Sequence, residues 1–446
     1  QLTLHSAITK ALQSNLGIRI QQSDVSLAGT EIDLAKADLL PQANVSTVVS
    51  ASDELTTLSR QGAQGRANWL LNAELSQTVF AEPLLANVTI QKLLQKSEEQ
   101  ALLQTQLDVI IDVTSAYMNI LFAKSNLNIQ QQNVERNKEN FDIAKAKEAI
   151  GYTGASDINR WEAELANANI ELNNAFASLR QAKFQLNQLL NRPINEPVEI
   201  EDASLEASAL LIADSRLDVI DNYGTLEKFS DFLVGYAMER LPELAQIDLG
   251  VKVQERLQLS RERAMYLPTV GLNATANRVL GRIDVPESLP GVEKATTWDV
   301  SLGVSYPIFQ GNSRRKLIEQ SKINLIQLED NRKNVENQLE LLIRANIETV
   351  GASYSRMELA QKAADASRKN YQIVQDAYSA GQTNITTLID AQNNAQATEL
   401  NSDNAVFTFI LDFLNLERSI GYFNFLANTA ERDAFFQDMQ TYMNQN

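Results

Sequence analysis

The chain has 446 residues, a formal charge of −17, a single histidine and no cysteine. The acidic balance argues against nucleic acid, whose binding needs Lys and Arg to displace counterions, and the missing thiols exclude disulfides and thiolate metal sites. With His5 the only imidazole, histidine metal centres and Ser-His-Asp catalysis are excluded as well; no apolar run approaches ~18 residues, which excludes a membrane-crossing helix but not a β-barrel.

A start at Gln1 rather than Met leads us to expect a mature, exported protein whose signal has been removed. The length would ordinarily make two or three compact domains. Punctuation contradicts that: only 9 Pro and 17 Gly occur, clustered near 41, 62–65, 151–154, 193–197, 268–291 and 311. Between the clusters run helical patterns of roughly forty to seventy residues, the longest on the order of 100 Å at ~1.5 Å per residue. A globule has no use for such rods; a structure crossing a wide gap does.

In chain order, a first unit spans 1–192. It comprises a helix, strands at about 43–52 and 67–80, and long helices over 83–150 and 155–192. A linker occupies 193–230. A second unit, 231–427, repeats the plan: a helix, strands at about 269–279 and 296–309, and long helices over 312–380 and 384–427, with a tail at 428–446. The landmarks recur in order, about 227–230 residues apart. Leu39-Leu40-Pro41 returns as Tyr266-Leu267-Pro268, Val79-Phe80 as Ile308-Phe309, and Gly151-Tyr152-Thr153 as Gly381-Gln382-Thr383.

The strand segments alternate with period two. Trp69, Leu71, Ala73 and Leu75 oppose Asn68, Asn72, Glu74, Ser76 and Thr78, with Leu70 out of pattern. Trp298, Val300, Leu302, Val304 and Tyr306 oppose Asp299, Ser301, Gly303 and Ser305. Val45 and Val49, and Val270 and Leu272, do the same in the partner strands. Alternation alone also fits a soluble amphipathic sheet. The aromatic placement shifts the reading, because Trp69 and Phe80, like Trp298 and Phe309, lie eleven residues apart. Tilted strands of that length span ~25 Å and would set aromatics at both edges of an apolar band, as in a membrane barrel. Four strands cannot close a barrel, so several chains must contribute, two or more by strand count. Segments 53–66 and 281–295 then read as external hairpin loops.

Helix 155–192 carries a coiled-coil seam: Ile158, Trp161, Leu165, Ala168, Leu172, Ala175, Leu179, Ala182, Leu186 and Leu189. The second copy keeps it less cleanly at Leu388, Ala391, Ala395, Ala405, Phe409 and Leu416. Helix 83–150 has a broader stripe, Leu103, Leu107, Ile110, Thr114, Tyr117 and Leu121 flanked by Val109, Val113 and Ile120. That width implies neighbours on two sides.

With strand pair, phenylalanine strand end, long helix, glycine tip and second helix all duplicated, the chain resembles the TolC-like outer-membrane efflux family over nearly all of 1–427. The resemblance implies a mainly α protein with a membrane β-barrel, built as a homotrimer. Twelve strands would form the barrel, and an α-helical periplasmic tunnel would continue it. It further implies a passive exit channel working with a periplasmic adaptor and an inner-membrane transporter, exporting small molecules or proteins. The outer membrane would be its location, 193–230 and 428–446 its equatorial belt, and outer-membrane lipid the neighbour of Trp69, Phe80, Trp298, Tyr306 and Phe309.

The resemblance also assigns roles at the tips. Gly151, Tyr152, Thr153, Gly381, Gln382 and Thr383 fall where adaptor hairpins dock. Asp390 matches one of two acidic rings lining the periplasmic aperture, while Thr387 occupies the other position, so one ring is expected to be missing. Tyr378 and Asp157 match a tyrosine and its acidic partner that hold the tip shut. Thr383 stands where the family has an arginine, so that latch is expected to be weaker or built differently. Repeated by symmetry, Asp390 would favour cations.

No phosphate loop of the GxxxxGK[ST] type occurs, and Gly154-Ala155-Ser156-Asp157 lacks the second glycine of a nucleophile elbow. Neither catalytic residues, metal site nor cofactor are expected. The alternatives are a non-conducting envelope coiled-coil scaffold and a general diffusion porin, although a porin has no need of such rods.

Overall fold

The computed structural model describes residues 1–53, 66–152, 154–201, 223–283 and 296–445. Thr153, most of both expected hairpin loops and the middle of the 193–230 segment lie outside the described residues. The chain divides into two units, one formed by Ser23–Gln100 with Ala245–Arg332, the other by Gln1–Gln22, Ala101–Leu244 and Lys333–Asn446.

The first of these units holds a single antiparallel sheet of β1 (Gln42–Ala51), β2 (Ala67–Phe80), β3 (Thr269–Ile283) and β4 (Thr296–Ser305), in that spatial order. The two strand pairs of the repeats are thus joined edge to edge through β2 and β3. Register explains why the four alternating patterns cooperate. Val45, Ala73, Ala276 and Trp298 stand in one cross-strand row, and Asn44, Glu74, Thr275 and Asp299 in the next. Successive rows point to opposite faces, so all four apolar sets share one side. Arg278, between Leu71 and Thr296, interrupts that side.

Two strand ends differ from expectation. β3 continues past 279 to Ile283 because Ala67 and Asn68 at the start of β2 supply partners, with Leu280 left out of register as a bulge. β4 stops at Ser305, short of 309, since Pro307 lacks an N–H to extend the ladder.

The opening helix of each repeat, expected as one piece, is two. α1 (Leu4–Ser14) breaks from α2 (Leu16–Ala37) at Asn15, whose extended backbone and side-chain oxygen, accepting from Gly17 N at 2.8 Å, start a new helix. α5 (Tyr223–Arg240) breaks from α6 (Pro242–Arg263) where Pro242 disfavours helical geometry at Leu241 and suits the first turn of α6. Because α5 starts at Tyr223, the expected boundary at 230 falls inside a helix.

The rods are α3 (Glu82–Ala149), α4 (Ala155–Leu189), α7 (Ser313–Ser379) and α8 (Ile385–Ile420), with α9 (Thr429–Gln445) closing the chain order. At 68 residues, α3 is on the order of 100 Å long. α4 ends before 192 because Asn191 turns left-handed (φ 51°) ahead of Pro193. α8 ends well before 427 because Gly421 adopts φ 70° and its N–H, with that of Tyr422, returns to the carbonyls of Arg418 and Glu417.

Within the strand unit, the helices are tied by polar contacts. Arg256 meets the buried Glu82 at 2.9 Å, and Arg261 reaches both the Leu317 carbonyl and Ser321. The other unit has an apolar core around Val113, Met118, Leu186, Leu233, Ile343, Phe409 and Leu414. Arg418 is clamped there between Asp108 and Glu243, each at 2.7 Å. α9 packs through Phe435, edge-on to Phe232 and Tyr236 of α5 and stacked on Tyr422 at 4.6 Å. In α4 the buried rhythm is Trp161, Ala168, Ala175, Ala182, every seventh residue, and small side chains there allow close helix approach.

Candidate functional site at the sheet and the helix tips

The sheet leaves its apolar side exposed. Val45, Val49, Val300, Leu302 and Val304 are all exposed, and Trp298 retains 75% of its surface. On the other side the polar rows bond to one another: Asn273 Nδ2 donates to Glu74 at 3.0 Å, and Thr275 donates to Asp299. A soluble sheet hides its valines; this one leaves them uncovered. The expected interface aromatics divide. Trp69 is half exposed in β2, its indole N–H bonded to Thr47 at 2.8 Å, and Phe80 closes that strand. Tyr306 lies just past β4 with its hydroxyl on the Met265 carbonyl at 2.7 Å, while Phe309, 85% exposed, sits outside any strand. The symmetry drawn between Phe80 and Phe309 therefore holds in sequence but not in strand geometry.

The tips of the two long hairpins lie in the helical unit and meet each other. Each turns on a glycine in the left-handed region, Gly151 (φ 75°) and Gly381 (φ 74°), where a side chain would be strained. α8 begins with Asn384 as its cap, whose side-chain oxygen accepts from both the backbone N–H and the hydroxyl of Thr387. Thr387 is thus occupied in the helix start. Asp390, one turn on, is exposed, as is Gln382, and Thr383 is half-buried.

Tyr378 is placed differently from the expected latch. It is buried in an apolar cluster with Trp161, Tyr371, Ile385 and Leu388, and its hydroxyl lacks a hydrogen-bond partner of good geometry. Asp157, half-buried in the first turn of α4, does not bond to it within the chain. Trp161, wholly buried, belongs to the same cluster. Burial pushes the Tyr378 hydroxyl pKa up, the Trp161 N–H opposes this, and the charge of Asp157 adds to it.

Sequence reasoning missed three groups here. Lys147 Nζ donates to the Tyr378 carbonyl at 2.5 Å and sits 3.9 Å from the centre of the Tyr378 ring. Arg160 donates to Thr386 at 3.0 Å, so an arginine links the repeats from the opposite side to the one expected. Behind the tip, α3 and α8 meet through buried amides. Asn140 donates to Gln392 at 2.8 Å, Gln392 to Asn133 at 3.4 Å and Gln396 to Gln130 at 3.0 Å. The spacing Asn126, Asn133, Asn140 was the available signal: one amide every seven residues, at the positions where a seam wants apolar groups.

Among the described residues no cluster of His, Cys, Asp and Glu is arranged to hold a metal ion, and no helix is long and apolar enough to cross a membrane.

Known proteins match this architecture along its length. The chain is 21% identical over 427 residues to the outer membrane protein TolC of Escherichia coli K12, covering 93% of this chain and 81% of that one. It is 23% identical over 441 residues to nodulation protein T of Rhizobium leguminosarum bv. trifolii, covering 94% and 86%. Its fold superposes on the Campylobacter jejuni CmeC outer membrane channel with a TM-score of 0.72 at 17% identity, covering 98% of this chain and 89% of that one. Residues 7–192 and 233–421, the two repeats, both match the family described as outer membrane efflux protein. The chain belongs to that outer membrane efflux protein family, and with it to the outer membrane, extending into the periplasm.

Proposed function

We propose that three copies of this chain close their four-stranded sheets into one twelve-stranded barrel, continued by a helical tunnel, and that the assembly is the passive exit duct of a tripartite exporter. One observation carries the reading: a sheet with its apolar rows exposed, its polar rows bonded on the other side, and the outer edges of β1 and β4 unpaired among the described residues. Unpaired edges in lipid leave backbone groups without partners, so copies must join edge to edge. Inside such a cylinder Asn44, Glu74, Thr275 and Asp299 would face water.

Energy for export then comes from an inner-membrane transporter, joined through a periplasmic adaptor that docks on the tips around Gly151 and Gly381. The chain itself performs no catalysis. Movement of the tips opens the duct, and Asp390, repeated around the axis, makes the narrow end cation-preferring. Efflux of small molecules is favoured over protein secretion through type I systems, since similar proteins include the outer membrane efflux protein BepC of Brucella suis and the probable efflux pump outer membrane protein TtgC of Pseudomonas putida, each 21% identical to this chain.

The test is reconstitution of the detergent-purified assembly in planar bilayers. We expect discrete single-channel currents with cation preference, and a reduced preference in Asp390→Asn. Absence of current from both proteins would favour the non-conducting scaffold instead.

A further inference from the structure

Lys147 belongs to the first repeat, yet it bonds to the tip of the second. Its ammonium donates to the Tyr378 carbonyl at 2.5 Å, near the C-terminus of α7, where the helix dipole favours a cation. It lies 3.9 Å from the Tyr378 ring centre and 5.7 Å from that of Tyr152, placing it against two aromatic faces. Tyr152 adds a weaker tie, its hydroxyl 3.4 Å from the Gly381 carbonyl. Gly381 is fitted to this neighbour, because a Cβ there would run into the Tyr152 hydroxyl. Two nearby pieces of the first tip therefore hold two carbonyls of the second.

We propose that Lys147 is the positioning residue that clamps the two tips of one chain together, through its charge, in place of the carboxylate–tyrosine pair that Asp157 and Tyr378 do not form. A neutral side chain of the same length would fill the space but lose both the aromatic attraction and the charge-assisted bond. Asp157 is the carboxylate whose charge acts on the ammonium, and it favours the charged form against the effect of burial. The role of this clamp in opening rests on the exit-duct reading; the clamp itself does not.

The chain has no cysteine, so a spin-label pair at Ile150→Cys and Gln382→Cys reports the distance between the tips without background. One labelled chain per assembly is obtained by co-expression with excess unlabelled chain. We expect a narrow distance distribution in the otherwise unaltered protein, a broad and longer one in Lys147→Met, and recovery of the narrow one in Lys147→Arg. In bilayers, Lys147→Met should raise open probability by about tenfold or more. A Lys147→Met distribution identical to the starting one, or an equally broad one in Lys147→Arg, overturns the clamp. Silence of every variant in the bilayer, with the label distances as expected, sinks the duct reading and leaves the clamp standing.

Discussion

Glu417 offers the sharpest test of how the helical unit is held together. Its side chain is 3% exposed near the end of α8, one oxygen accepting from Asn424 N at 2.7 Å and the other unbonded. Burial raises its pKa well above the ordinary glutamate value of 4.5, and the single backbone bond opposes this only in part. The folded chain therefore holds a proton that the unfolded chain gives up. Stability from this group is complete below the unfolded pKa and declines as pH rises toward the folded one, by about 1.4 kcal/mol per pH unit across that window. Glu417→Gln keeps an oxygen for the Asn424 N–H and cannot ionise. We expect it to match the parent near pH 4.5 and to exceed it increasingly above that value. Denaturant midpoints tracked by helical circular dichroism at a series of pH values would measure the difference. A constant offset between the two proteins at every pH would refute the reasoning, since it would mean that Glu417 does not carry the proton. Tyr422, pushed up to about 12 mainly by burial, and Tyr236, also raised by burial, stay neutral throughout and do not confuse the readout.

The same geometry sets other outcomes. Arg256→Met leaves the Glu82 carboxylate buried with only the distant Arg263, at 3.9 Å, and should cost about 3 kcal/mol in denaturant unfolding, restored largely by adding Glu82→Gln. At the tips, Gly151→Ala meets open space and should loosen local amide exchange by about 1 kcal/mol of backbone strain. Gly381→Ala should loosen it further by displacing Tyr152, and the excess should vanish in a Tyr152→Ala background.

Much of this architecture could be read from the residues because it is periodic. The alternation from Trp69 to Leu75 and from Trp298 to Val304 determined which side of the sheet is apolar, and register merely aligned the four patterns. The long rods were legible from the scarcity of Gly and Pro, and α8 overran only because Gly421 was passed over as its cap. What escaped was whatever depends on neighbours distant in sequence. Nothing around Lys147 announces that its ammonium will lie on the ring of Tyr378, 231 residues away. Trp161 was expected on an apolar seam and is buried, but that it shares one cluster with Tyr378 emerges only from the packed structure. The broken opening helices were within reach, since Pro242 marks one break and Asn15 the other.

The row of amides between α3 and α8 has a mechanical consequence. An apolar seam tolerates slippage, since one leucine replaces another at little loss. Asn133, Asn140, Gln130, Gln392 and Gln396 do not, because moving either helix by one turn strands several of these groups at roughly 1–3 kcal/mol each. The pair is indexed like a toothed rack, so forces applied near one end of these helices are transmitted as rotation or tilt rather than lost in sliding.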